Sequence, residues 1–365
     1  MITYKRYHNP KFFSKTEVKS DSFKGLEDSN HVFLNAVRTG LLGIFDLLEF
    51  KKGDTILLPA FSPHGLFLPC KKKGLNVLFY NLNPDLTPNK LSVENHLNTN
   101  DIKAVFFIHY FGYYKDFSDL AVFAKSRGTL VFEDCAHSLF HDYKKSHMGK
   151  IGDISFFSMN KILPVPDGSI FISNNPSIDL KKINLKKSLF ATISVRCNYY
   201  HLFLRTKQIE FYKRLLLRKT LSFLSASFYA IYYITLCHTN YPAPMSSLTK
   251  KTLHKMQLDK LIRVRISNLK YINNLLNLGF EQKNFEGIVT GIPFLTKNTQ
   301  TVRKKLQELG IQTLAYNKKW WFVPKDQIKN YKTEFDYHNQ HFLIPVNENL
   351  SEDELAFMAK HLKQI

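Results

Sequence analysis

Short apolar runs recur along the first half of the chain. They alternate with stretches whose apolar residues return every third or fourth position. Residues 55–58, 76–80, 104–108, 130–133, 154–157 and 169–172 are almost continuously β-branched or aromatic. Such runs suit strands buried on both faces of a mostly parallel sheet. Between two of them, Phe117, Leu120, Phe123 and Ala124 share one face of a helix over 116–125, which Gly128 stops. Residues 35–50 repeat that pattern before Lys51-Lys52-Gly53. Alternating strands and helices predict an α/β domain with helices on both faces of its sheet. Ligands in such domains sit at the carboxyl ends of the strands. Here those ends carry His109, Glu133-Asp134 and the segment 158–161.

The pattern changes twice downstream. Residues 181–220 hold eleven basic residues and one acid, and 221–237 hold no charge and many Phe, Tyr, Leu and Ile. The spacing predicts a helical segment that packs on the main domain or on a second subunit. A basic stretch followed by an aromatic one also suits the surface of an anionic bilayer. Its 17 residues stand at the lower limit for a span, and its Ser and Thr residues weaken that reading. From Ile288 onward, strands over 292–295 and 341–345 and helices from Asn298 and Ser351 predict a small α+β unit. Asn298 is a candidate N-cap, and Ser351 with Glu354 is a capping box.

Composition narrows the class. With 44% apolar and 22% charged residues the chain is globular rather than disordered. The formal charge of +21 suits an anionic substrate, a membrane surface or nucleic acid, but most lysines are dispersed and no nucleic-acid module is visible. Cys70, Cys135, Cys197 and Cys237 form neither C-x-x-C pairs nor a zinc pattern, so reduced thiols in a cytoplasmic protein are expected. The first residues lack the apolar stretch of a signal peptide.

Three motifs carry candidate chemistry. Asp134 ends a buried strand, where an acid needs a cationic or hydrogen-bonded partner. A metal, a ribose, a helix cap or the ring nitrogen of pyridoxal phosphate would each serve. Lys161 follows another strand and precedes a rigid Pro164-Val165-Pro166-Asp167-Gly168 turn. That setting could hold an amine partly desolvated for Schiff-base chemistry, or could be an ordinary exposed loop lysine. Asn35 to Gly40 opens a helix with small and polar residues. Its free amides, the Thr39 hydroxyl and the Arg38 charge could seat a phosphate, or Asn35 could simply cap the helix.

In order, these motifs resemble the DegT/StrS family of pyridoxal-phosphate (PLP)-dependent sugar aminotransferases, which have the aspartate aminotransferase-like fold. The likeness runs over residues 35–174 and resumes weakly from Ile288. It rests on Gly53-Asp54-Thr55-Ile56-Leu57-Leu58-Pro59-Ala60-Phe61, on His109-Tyr110-Phe111-Gly112 and on Glu133-Asp134-Cys135-Ala136-His137. Gly149-Lys150-Ile151-Gly152-Asp153 and Lys161 with its Pro-x-Pro-Asp-Gly turn complete it. The resemblance implies pyridoxal 5'-phosphate as cofactor, Lys161 and Asp134 as catalytic residues, and Asp134 beside the ring nitrogen. It implies His137 near the phenolic oxygen, and Arg38, Thr39, Gly40 and Ser158 around the phosphate.

The sequence departs from the family at several positions. Val37-Arg38-Thr39 replaces the usual Ser-Gly-Thr, Phe156 replaces a phosphate-binding Ser, and Ser169 replaces a Gly. Pro63, flanked by Phe61 and His64, stands where an aromatic residue often stacks on the ring. The resemblance further implies a homodimer, an amino donor such as glutamate and a keto-sugar acceptor, typically nucleotide-linked, in cell-surface polysaccharide or related biosynthesis. A PLP-binding domain over 1–240 and a small domain over 241–365 are expected. Two other readings stay open. One is another PLP reaction or a non-catalytic member on the same fold. The other is a membrane-surface binding protein built around 181–240.

Overall fold

The apolar runs pair side by side into one seven-stranded sheet. The computed structural model describes residues 10–14, 23–140, 142–210, 214–278, 287–316 and 320–364. Its first strands are β1 (Asn30–Leu34), β2 (Thr55–Pro59), β3 (Asn76–Tyr80), β4 (Ile102–Ile108) and β5 (Leu130–Asp134). A short β6 (Leu139–Phe140), then β7 (Ile154–Ser158) and β8 (Ser169–Ser173), follow. The order across the sheet is β1-β8-β7-β5-β4-β2-β3. The pairs from β3 through to β7 are parallel, while β8 runs antiparallel to both β7 and β1. β1 went unnoticed in the sequence because its half-polar Asn30-His31-Val32-Phe33-Leu34 lies at the sheet edge.

Helices α1 (Val37–Leu47), α2 (His64–Lys73), α3 (Lys90–Thr99), α4 (Ser118–Ser126) and the single-turn α5 (Met159–Ile162) connect these strands. Helix α1 is shorter than its apolar pattern. Asn35 does not cap it: its carboxamide oxygen accepts the Thr39 hydroxyl at 2.7 Å and the Ala243 amide at 3.2 Å, so Ala36 becomes the N-cap. Phenylalanines fill the interior, as where the rings of Phe106 and Phe132 stack at 4.5 Å.

Residues 181–240 fold mainly into two long helices, α6 (Leu189–Glu210) and α7 (Leu215–His238), packed along each other as a hairpin. Buried His201 joins them by bonding Ser225. The hairpin is also tied to the main body, where Asn198 Nδ2 donates to the Pro166 carbonyl at 2.5 Å.

The C-terminal third holds α8 (Ser247–Lys255), α9 (Leu258–Leu276), β9 (Gly287–Ile288), β10 (Ile292–Leu295), α10 (Thr299–Glu308), α11 (Lys332–Gln340), β11 (His341–Ile344) and α12 (Glu352–Leu362). β10 and β11 pair antiparallel, and β9 pairs with β6. Ser351 and Glu354 form the expected capping box. Asn298 occupies the N-cap position of α10 but makes no side-chain cap; the Thr299 hydroxyl donates to the Thr296 carbonyl there instead. Ile292, Phe342, Ile344 and Leu355 belong to the same buried cluster as β2 to β5.

Candidate active site

The carboxyl ends of β5 and β7, the start of α1 and the start of α2 converge on one cavity of about 410 Å³. Arg38, Pro63, His64, Asp134, His137, Ser158 and Lys161 line it. Thr39 and Gly40 do not. The Thr39 hydroxyl is fully buried and donates to Asn35 and to the Ala36 carbonyl, so it faces back into its own helix. Gly40 packs against the core, where an added Cβ would lie 2.3 Å from the Phe171 ring. What α1 offers the cavity is its start. Ala36, Val37 and Arg38 line it, and the first intrahelical bond comes from the Gly40 amide to the Ala36 carbonyl. The amides of residues 37–39 therefore precede the helical hydrogen-bond ladder and could hold an anion.

Asp134 is buried, and its Oδ1 accepts the Ala136 amide at 2.8 Å. Burial raises its pKa above the ordinary carboxylate value; the charge of Lys161, the Ala136 amide and His109 pull it back only in part. Such a carboxylate favours a nearby cation. His137 is equally buried, and neither ring nitrogen has a hydrogen-bond partner. Burial first, and then the Lys161 charge, depress its pKa well below 6.5, so the ring is neutral. Tyr316 and Trp320 stand 5.1 and 5.3 Å from its centroid. Lys161 sits on α5 and is exposed to the cavity rather than packed into the core.

The lysine's turn is anchored from three sides. Asp167 accepts the Ser246 amide at 2.9 Å, the Ser246 hydroxyl at 2.6 Å and the Thr249 hydroxyl. Arg265, paired with buried Glu348, donates to the Ile162 carbonyl at 3.1 Å. Asn198 supplies the third tie, described above. Ser158 donates to Asn160 Oδ1 at 2.9 Å while lining the cavity.

Glu133, the residue before Asp134, points the other way and is saturated. It accepts the amides of Gly149 (2.6 Å), Ile151 (2.8 Å) and Gly152 (3.0 Å), the Ser155 hydroxyl (3.0 Å) and His109 Nε2 (2.9 Å). His109 Nδ1 accepts the Lys115 amide, so its proton sits on Nε2. His109, Glu133 and Cys135 lie close enough to hold a metal, but these donors already use the carboxylate and both histidine nitrogens. The cluster is a structural anchor for the G-x-x-G-D loop.

The sequence reading missed three features. Tyr229, Tyr232, Tyr233 and Leu236 of α7 form a wall of the cavity. Tyr233 is hydrogen-bonded to His64 Nδ1 at 2.8 Å, Asn160 Nδ2 donates to the Tyr232 hydroxyl at 3.0 Å, and Arg38 donates to Cys237 Sγ at 2.8 Å. Second, Tyr316 and Trp320 enter from the C-terminal third. Neither group carries a local motif; only tertiary packing brings them in. Third, Phe111 holds a left-handed backbone (φ 59°) beside His137, its carbonyl clamped by Thr290, while a Cβ on Gly112 (φ 94°) would lie 2.3 Å from the His137 carbonyl. Phe61 is fully buried and stacks on Tyr110 outside the cavity.

Residues 27–202 match the DegT/DnrJ/EryC1/StrS aminotransferase family. GDP-perosamine synthase of Escherichia coli O157:H7 is 26% identical over 180 residues, 48% of this chain and 49% of that protein. Protein MosB of Rhizobium meliloti is 30% identical over 37% of this chain and 27% of that protein. The dTDP-4-dehydro-2,3,6-trideoxy-D-glucose 4-aminotransferase of Saccharopolyspora spinosa is 26% identical over 42% and 40%. The matched stretches thus span half or less of these relatives' length. Solved structures of the same fold include DesV of S. venezuelae (TM-score 0.64, 14% identity, 97% of this chain and 90% of that one). Spr1654 of Streptococcus pneumoniae, solved in PLP and PMP forms, is another (TM-score 0.62, 15% identity, 92% and 86% for the PLP form).

Proposed function

We propose that this chain, whose residues 27–202 match the DegT/DnrJ/EryC1/StrS aminotransferase family, is a PLP-dependent aminotransferase of that kind. In this reading it moves an amino group from an amino-acid donor such as glutamate to a keto sugar linked to a nucleotide. The observation that carries it is the shared cavity: the Lys161 amine, the buried Asp134 carboxylate and the unpartnered His137 imidazole line it together. The names of two relatives, a GDP-perosamine synthase and a 4-aminotransferase of a dTDP-linked 4-dehydro sugar, support the acceptor class.

The donor set fits the cofactor. A buried carboxylate with a raised pKa suits a pyridinium nitrogen, and a neutral imidazole lacking partners suits a phenolic oxygen. The start of α1, with Arg38 beside it, suits a phosphate. When bound, the cofactor supplies an electron sink for the carbon bearing the amino group. Asp134 would keep negative charge beside the ring nitrogen. Lys161 Nζ would take the proton from the substrate carbon and return it, because its side chain reaches into the cavity from a turn fixed on three sides. Tyr316, Trp320 and the tyrosines of α7 would exclude water from that transfer.

The experiment is to load the purified protein with pyridoxal phosphate, reduce with borohydride and map the adduct by mass spectrometry. The phosphopyridoxyl mass should lie on the peptide bearing Lys161, and unreduced enzyme given glutamate should release 2-oxoglutarate. A label on another lysine would refute the site. Correct labelling without amino transfer from any donor to a nucleotide-linked keto sugar would refute the reaction.

A further inference from the structure

Helix α7 has two dissimilar sides. One is held to the body through Tyr232, Tyr233 and Cys237, with Ser225 and Thr235 buried. The other carries Leu216, Phe223 and Ile234, which are 81%, 72% and 57% exposed. At 100° per residue these three fall within about 20° of one line along the helix. Helix α6 has a matching outer stripe: Leu189, Arg196, Tyr200 and Phe203 fall within about 40° of a line opposite its buried Asn198. A contact of 5.4 Å between Tyr200 and Phe228 links the two helices.

An apolar surface of this extent marks an interaction site. We propose that the outer surface of the α6–α7 hairpin docks on an anionic lipid bilayer. Charge selects this occupant. Residues 181–220 hold eleven basic residues and one acid, so a second copy would set like charge against like, whereas anionic headgroups are complementary. On that stripe of α6, exposed Arg196 stands among exposed Leu189, Tyr200 and Phe203, so a cation and apolar groups would meet the headgroup region together. Helix α7 is long and apolar enough to cross a membrane. Its hydrogen bonds to His64, Asn160 and Arg38 keep it on the protein instead, so it lies along the surface rather than spanning. Docking would set the cavity wall on the far side of α7, about one helix diameter (~10 Å) from the lipid.

Sedimentation of the full-length protein with vesicles tests this. Vesicles containing phosphatidylglycerol should bind it at low salt, pure phosphatidylcholine vesicles should not, and high salt should release it. Arg196→Gln with Lys219→Gln should weaken binding about 25-fold, at about fivefold per neutralised charge. Phe223→Ser with Ile234→Ser should weaken it more than tenfold, with an unchanged circular dichroism spectrum. Absence of binding to anionic vesicles at low salt, or equal binding to neutral ones, would overturn the proposal. So would a Phe223→Ser/Ile234→Ser variant that changes oligomeric state by light scattering yet binds vesicles as wild type does, because the face would then belong to a second copy.

Discussion

Replacing Glu133 by Gln removes one oxygen and one charge from a site that uses both. Its Oε1 accepts the Gly149 amide and His109 Nε2, and its Oε2 accepts the Ile151 and Gly152 amides and the Ser155 hydroxyl. Ser155 can reverse its hydroxyl, but the amides cannot, and the Lys115 amide on Nδ1 keeps the proton of His109 on Nε2. Whichever way the new carboxamide turns, two fixed N–H donors face its NH₂ group. At about 1–3 kcal/mol for each buried donor left unmatched, the loss is about 2–6 kcal/mol. A domain is stable by only about 5–15 kcal/mol, so the denaturation midpoint should fall steeply. Urea titration at pH 7–8, followed by far-ultraviolet circular dichroism, measures it.

The pH dependence has a definite sign. Burial alone would raise the pKa of Glu133, but His109 and the Gly152 and Gly149 amides outweigh it and hold the value below 4.5. The stabilisation is therefore full above pH 4.5 and lost as pH falls through the depressed native value. The gap between wild type and Glu133→Gln should close on acidification. A loss under about 1 kcal/mol at neutral pH, or a gap that widens in acid, would refute the saturated-carboxylate argument.

Three further outcomes follow from the site. Lys161→Ala should fold normally, since the side chain packs into no core, yet lower turnover by about 10⁴-fold or more in a coupled 2-oxoglutarate assay. Asp134→Asn should slow proton transfer severely but should not destabilise the cofactor-free protein. Burial raises this carboxyl's pKa above 3.8, so its ionisation burdens the fold increasingly as pH rises through that range. The melting temperature of the variant relative to wild type should therefore climb as pH rises above 3.8. Gly112→Ala should cost more than about 2 kcal/mol by thermal denaturation, because its Cβ meets a backbone carbonyl at 2.3 Å in a left-handed conformation.

The sheet was legible because burial on both faces writes itself as continuous apolar runs, and residues 76–80 and 292–295 match observed strands end to end. The acid–lysine pairing is legible because Asp134 ends one buried strand and Lys161 follows its parallel neighbour, so their carboxyl ends share one edge. The half-polar edge strand β1 left no such trace. The motif places Thr39 at the phosphate, but one helical turn carries its hydroxyl back to Asn35. The cavity wall from α7 lies about seventy residues downstream of Lys161 and has no periodic or motif signature that points to the site.

That wall gives the departures from the family pattern a common setting. Arg38 stands where the family usually has a small residue, and it reaches Cys237 and covers the Tyr233 ring at 5.0 Å. His64, beside the Pro63 that replaces a stacking aromatic, bonds the Tyr233 hydroxyl. Asn160, adjacent to the lysine, bonds Tyr232. Each of these contacts joins the α/β half to one helix outside the matched residues 27–202. Small residues at positions 37 and 38 would expose the α1 amides equally well but would leave α7 without its cationic anchor. The altered anion seat and the hairpin therefore form one arrangement: the start of α1 keeps its backbone amides, and the side chains around it hold α7 against the cavity.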